Sequence, residues 1–195
     1  MVTILQKEAL VLREKAEPVN PKDFGSPRLK KILEDMVTAL EKEEDGVAIA
    51  APQIGVPLRI FVVSHRAFEF EDRVENAHNH DAQGANQLIR KRSNMVFINP
   101  VITKLSRKKV WLPEGCLSVR WLYGEVERRD KATVRAYDEN GKAFTLGGSG
   151  LLAQIFQHET DHLNGVLFID SARNVEKITA EEQRIRREES GNNKK

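Results

Sequence analysis

Residues 151–165, LLAQIFQHETDHLNG, restrict the possible folds of this chain more than any other stretch of its 195 residues. Leu151, Leu152, Ile155, Phe156 and Leu163 recur at helical spacing, and Asn164-Gly165 supplies a C-terminal stop. Within that helix His158-Glu159-Thr160-Asp161-His162 is an H-E-x-x-H motif. Positions i and i+4 share one helical face, so both imidazoles can reach a single ion. Glu159 stands about 100° around the helix from His158, close enough to reach a water on that ion. A helix with surface histidines satisfies the same five letters. The apolar surroundings argue instead for burial, and a buried glutamate and histidine need partners, which a cation supplies to each.

A catalytic site of this kind requires a third protein ligand and one open position. No histidine follows His162, so a downstream ligand would have to be an acid such as Asp170, Glu176 or Glu181. The upstream candidate is Cys116, in Leu112-Pro113-Glu114-Gly115-Cys116-Leu117-Ser118. A lone cysteine is commonly an inert small hydrophobe, but a thiolate binds borderline and soft divalent ions well. Here composition matters. One cysteine excludes a disulfide-built scaffold and a Cys-rich structural zinc module. With Lys+Arg at 31, Asp+Glu at 29 and a net charge of +2, nothing announces a nucleic-acid binder. No apolar run approaches the roughly 20 residues of a membrane span, and MVTILQKEAL does not read as a signal peptide. The expectation is one soluble cytoplasmic domain over residues 1–195, with no membrane association and no specific nucleic acid.

The remaining patterns are coarser. Residues 1–25 read as an irregular arm packed through Leu10, Leu12 and Val19. Ser26-Pro27 reads as an N-cap with proline at the first helical position, and the Leu29, Ile32, Leu33, Met36, Leu40 stripe predicts a core-packing helix to about Glu43. Residues 46–57 are small and uncharged, which lets backbone approach backbone or ligand. Strands are expected at residues 59–63, 95–102, 133–137 and 142–146, the last two joined at Asn140-Gly141. A small-residue turn is expected at 147–150 and an extended piece at 166–169. Residues 64–94 are polar and read as a surface insertion loop, where His78 and His80 are a solvated pair or, less simply, metal ligands. Residues 176–195 read as a charged C-terminal helix and tail.

Three segments taken together resemble the peptide deformylase family. They are Gly46-Val47-Ala48-Ile49-Ala50-Ala51-Pro52-Gln53, Glu114-Gly115-Cys116-Leu117-Ser118 and Gln157-His158-Glu159-Thr160-Asp161-His162. The flanks are similar as well: Leu12-Arg13 with Ala16 and Pro18-Val19, Phe97-Ile98-Asn99-Pro100, and His162-Leu163-Asn164-Gly165. The resemblance covers about residues 5–170. It implies an α+β fold in which antiparallel sheets surround a central helix carrying the two histidines. The implied reaction is metal-dependent removal of the N-formyl group from the initiator formyl-methionine of nascent polypeptides, with release of formate. Fe(II) is the implied metal, with Zn(II) or Ni(II) able to occupy the same site. Carried over, Cys116, His158 and His162 are metal ligands and Glu159 is the general acid/base. Gln53 and the backbone N–H of Leu117 stabilise the oxyanion. Backbone around Gly46, Val47, Ala48, Glu114 and Gly115 holds the peptide as an added strand. Val47, Leu112 and Ile155 are candidates to line a methionine pocket.

The chain departs from the family pattern at Ala48, where glycine is usual, and at Arg120-Trp121, where proline often follows the Cys motif. The 64–94 segment is also longer than the family suggests. Arg128 stands where the family commonly has an arginine, and orients Asp161 or a site carboxylate or else is a plain surface residue. The rival readings are an H-E-x-x-H metallo-endopeptidase with an acidic third ligand, and a catalytically weakened member that binds peptide N-termini because Ala48 crowds the cleft. A nascent-chain substrate makes transient ribosome association an expectation, with Arg184, Arg186 and Arg187 as phosphate contacts or as a solvated helix end.

Overall fold

Ile60-Phe61-Val62-Val63 is an unbroken apolar run, and a strand of that composition must be covered on both faces. The structure, a computed structural model describing residues 2–68, 94–179 and 181–182, shows how. The run is strand β2 (Ile60–Val63), fully buried between β1 (Ala48–Ala50) and β3 (Met95–Leu105). The two-residue period of a strand sends Ile60 and Val62 to one face and Phe61 and Val63 to the other. Helix α1 (Pro27–Glu41) covers the first face with Leu29, Leu33, Met36 and Leu40. Helix α2 (Gly150–His162) covers the second with Ala153, Ile155 and Phe156. Phe61 stacks on Phe97 at 4.5 Å between ring centres, and Phe156 closes the cluster 5.5 Å from Phe97.

Two further strands, β6 (Lys131–Tyr137) and β7 (Ala143–Ser149), complete a five-stranded sheet in the order β1-β2-β3-β6-β7. A second sheet has the order β4-β5-β8, from β4 (Lys109–Gly115), β5 (Leu122–Arg129) and β8 (Arg173–Lys177). Every pairing between these strands is antiparallel. The fold is α+β with antiparallel sheets, as expected. Helix α2 packs on β1, β3, β6 and β7 of the larger sheet and on β5 of the smaller one.

Local chemistry sets the element ends. Ser26 Oγ accepts the Leu29 N–H at the start of α1, with Pro27 in the first turn. The helix ends at Glu41, two residues before the expected Glu43. At the β6–β7 hairpin Asp138 Oδ1 accepts the N–H groups of Asn140 and Lys142, and Gly141 takes φ 78°. Gly165 ends the motif helix with φ 76°.

Five expectations need correction. Leu10 is 80% exposed, so the N-terminal arm packs through Leu12 and Val19 without it. Gly147 and Gly148 belong to β7 rather than to a turn: a Cβ on Gly148 would lie 2.8 Å from Leu152 Cβ, so α2 crosses the strand where side chains are absent. Of residues 166–169 Leu167 is extended, but Phe168–Asp170 forms a 3-10 turn closed by Asp170 Oδ2 on the Leu167 N–H. Glu176 and Lys177 pair in β8 rather than opening the tail. The expected insertion begins inside the core, with Ala67 and Phe68 both buried. Residues 69–93 of that segment, with His78 and His80, and the tail after residue 182 lie outside the described residues.

Candidate metal centre

Strand β4 delivers Cys116 directly after its last residue, Gly115, to the face of α2 that carries His158 and His162. Cys116 Sγ lies 3.1 Å from His162 Nε2, and one potential ligand atom from each of Cys116, His158 and His162 falls within 4.8 Å of the others. This is the cluster of potential ligands found among the described residues. Of the downstream acids, Asp170 is engaged elsewhere, by Arg13 and the Leu167 N–H.

The ring orientation of His158 is fixed from behind. Its Nδ1 meets Glu114 Oε2 at 3.0 Å, which leaves Nε2 for the cluster. Arg128 grips Glu114 with both ends of its fork, Nε to Oε1 at 2.7 Å and Nη2 to Oε2 at 3.0 Å. Its remaining nitrogen, Nη1, reaches Asp161 Oδ2 at 2.6 Å. Burial works against the Glu114 charge, but the bonds from His158 and Arg128 outweigh it and hold the carboxyl at about 2. Arg128 is therefore a buried partner of a site carboxylate and not a surface arginine. The role of Glu114 behind His158 had no signal in the sequence, because it depends on how β4 meets α2 across forty-four positions.

The residues fit a cation. His158 is largely but not fully buried, with 13% of its side chain exposed, and desolvation opposes its charge, yet Cys116 and Glu114 raise its pKa well above the usual value. The surroundings call for positive charge at that imidazole. Burial pushes His162 well below its usual value, keeping it neutral and able to ligate. Glu159, one turn-step away, is 3% exposed, and its Oε2 is buried without a partner. Burial chiefly pushes its carboxyl up to about 7. One sulfur, two imidazoles and a nearby unsatisfied carboxyl form a donor set suited to a borderline divalent ion with an open position.

Gln53 closes the other side. Its Oε1 accepts the Ala50 N–H at 2.8 Å, which turns Nε2 toward Ser118 Oγ at 3.0 Å and Cys116 Sγ at 3.7 Å. The amide therefore carries a second N–H beside the sulfur. These groups open into a cavity of about 340 Å³. Gly46, Val47, Ala48, Glu114, Gly115 and Leu117 all line it, as do Glu159 and Ile155; Leu112 does not, and Leu151 and Tyr123 stand there instead. Strand β1 is an edge of its sheet. Val47 spends its C=O on the Ser64 N–H at the β2 side, so strand alternation turns the Ala48 amide toward the cavity. Ala48 is 7% exposed and packs in the core with Phe61 and Val63, and it does not have positive φ. The methyl group that replaces the usual glycine hydrogen therefore does not fill the cleft.

Comparison with known proteins gives a consistent result. The model of the polypeptide deformylase family matches residues 1–178. A chloroplastic/mitochondrial peptide deformylase 1A of Arabidopsis thaliana is 41% identical over 160 residues, which is 82% of this chain and 57% of that protein. This chain thus spans little more than half the length of that relative. Peptide deformylase 2 of Clostridium acetobutylicum is 36% identical over 82% of this chain and 87% of its own length. Among solved structures, a class I type b peptide deformylase from Acinetobacter baumannii with Met-Ala-Ser bound aligns with a TM-score of 0.70 at 28% identity, covering 87% of this chain and 98% of that one.

Proposed function

This chain belongs to the polypeptide deformylase family, and from that membership and the site geometry we infer that it hydrolyses the N-formyl group of formyl-methionyl nascent peptides, releasing formate. The observation that carries the reading is the convergence of Cys116, His158 and His162 on one point beside the unpartnered carboxyl of Glu159. Cys116, His158 and His162 hold the metal, for which Fe(II) is proposed, with Zn(II) or Ni(II) as substitutes in the same donor set. When bound, the metal supplies Lewis acidity to the formyl oxygen and lowers the pKa of a water.

The protein's own groups do the rest. Glu159 takes the proton of the attacking water and returns one to the leaving amine, a task suited to a carboxyl whose pKa lies near the working pH. The second N–H of Gln53 and the backbone N–H of Leu117 stabilise the oxyanion, and the Ala50 bond fixes the Gln53 amide in advance. The peptide adds to the free edge of β1 at Gly46, Val47 and Ala48, opposite Glu114 and Gly115. Val47, Leu151 and Ile155 offer apolar surface to the methionine side chain.

Among the described residues no helix is long and apolar enough to cross a membrane. The proposed substrate places the activity in the cytoplasm, with transient ribosome contact. Assaying metal-loaded protein for formate from formyl-Met-Ala-Ser, beside cleavage of end-blocked internal peptides, tests the reading. Formate release without internal cleavage is expected. Internal cleavage without formate would favour an endopeptidase, and binding without turnover would favour a peptide-terminus binder.

A further inference from the structure

Arg120, one of the two residues that replace the usual proline after the Cys motif, spans the mouth of the cavity. Its base is held on the Cys116 wall, where Gln6 accepts the Arg120 N–H at 3.3 Å and donates to the Leu117 C=O at 3.1 Å. Its guanidinium reaches the opposite wall. Nη1 lies 2.8 Å from Asp45 Oδ2, and Nη2 lies 3.2 Å from Asp45 Oδ1 and 2.5 Å from Glu43 Oε2. Asp45 and Arg120 both line the cavity, and the Arg120 side chain is only 19% exposed.

The segment it grips, residues 42–47, joins α1 to β1 without regular structure. A second arginine holds the backbone of the same segment and the helix end before it: Arg66 donates to the carbonyls of Glu43 and Glu44 and to that of Leu40 in α1. Gly46 follows Asp45 immediately and is packed tightly, since a Cβ there would sit 2.8 Å from Leu40 Cδ1. The placement of the β1 edge relative to Cys116 therefore depends on what fixes Glu43 and Asp45. A planar guanidinium shared by two carboxylates fixes direction as well as distance, which a lysine ammonium cannot do.

We propose that Arg120 is a positioning residue: by bridging to Asp45 and Glu43 it sets the distance and register between the Gly46–Ala48 edge and the Cys116 wall, and so the affinity for the peptide part of the substrate. The proposal rests on reading the cleft as a peptide site. It assigns Arg120 no part in the chemical step, because its guanidinium contacts neither the metal-ligating side chains nor Glu159.

The test compares Arg120→Leu and Arg120→Lys with wild-type protein, all metal-loaded and full length. Arg120→Leu is expected to weaken Met-Ala-Ser binding about tenfold and raise KM for formyl-Met-Ala-Ser by a similar factor, with kcat within about twofold. Amide exchange at residues 43–48 should accelerate. Arg120→Lys should recover only part of the affinity. If Arg120→Leu fails to fold, Asp45→Asn and Glu43→Gln test the bridge from its other end, each with a smaller loss of the same kind. A folded Arg120→Leu protein that binds Met-Ala-Ser within about twofold of wild type, or that loses kcat instead of affinity, overturns the proposal. A wild-type chain that releases no formate would contradict the proposed function, while the Met-Ala-Ser affinities and exchange rates would still decide the role of Arg120.

Discussion

Glu114 is 5% exposed and shares its two oxygens between Arg128 and His158. Removing the guanidinium leaves a buried carboxylate with only an imidazole and the Gln154 amide, 3.3 Å away, beside it, a situation that typically costs about 3–5 kcal/mol. Arg128→Met should therefore lower the unfolding free energy measured in urea by an amount in that range. It should also weaken metal retention by roughly 10–100-fold, since His158 loses its fixed support. Gln53→Glu separates positioning from catalysis. A carboxylate still accepts the Ala50 N–H but has no N–H to donate, so kcat should fall about 10²–10³-fold at unchanged metal content. At this scale the sequence was informative where chemistry imposes local spacing. His158, Glu159 and His162 lie within five letters, and Cys116 is the single thiol available. Glu114 and Arg128 are fourteen positions apart, on neighbouring strands where Arg128 opposes Val110 and its long side chain reaches along β4 to Glu114, which no local pattern encodes.

Among the elements, α1, β2, the β6–β7 hairpin and α2 each carry their own signal: a helical stripe, a continuous apolar run, an Asn-Gly turn and a histidine pair on an apolar helix. The strands of the smaller sheet carry none. β4 contains Pro113, which is tolerated because β4 is an edge strand. β8 is exposed along its whole length and so shows no alternation. The Gly147-Gly148 pair misled for a related reason, since glycine in a strand marks a close approach as readily as a turn. Gly148→Val should cost about 1–3 kcal/mol through collision with Leu152 and Phe156 of α2, measured by denaturant unfolding. Ala48→Gly tests the opposite case. Its methyl packs in the core, so the substitution should destabilise the protein by about 1 kcal/mol while KM for formyl-Met-Ala-Ser stays unchanged. A lower KM would show that the methyl obstructs the cleft after all.

At the level of the whole molecule, a sheet between two helices fixes one wall of the cleft, and the smaller sheet brings the other through β4. The proposed metal ligands come from both sides, Cys116 from the end of β4 and the histidines from α2, so a bound ion would link the smaller sheet to the α2 layer. Binding that requires the native arrangement adds stability as RT ln(1 + [L]/Kd), about 2.7 kcal/mol at a hundredfold excess over Kd. Chelation should accordingly lower the melting temperature of wild-type protein and leave that of Cys116→Ala nearly unchanged. With Fe(II) bound in air, Cys116 should be the first residue oxidised, which peptide mass spectrometry would detect. The central claim is that one thiol completes a two-histidine centre for formyl hydrolysis. Its most direct test is the metal content and formate release of Cys116→Ala, purified without oxygen beside the wild type. The account predicts loss of both metal and formate release, and a variant that retained its metal and its activity would contradict it.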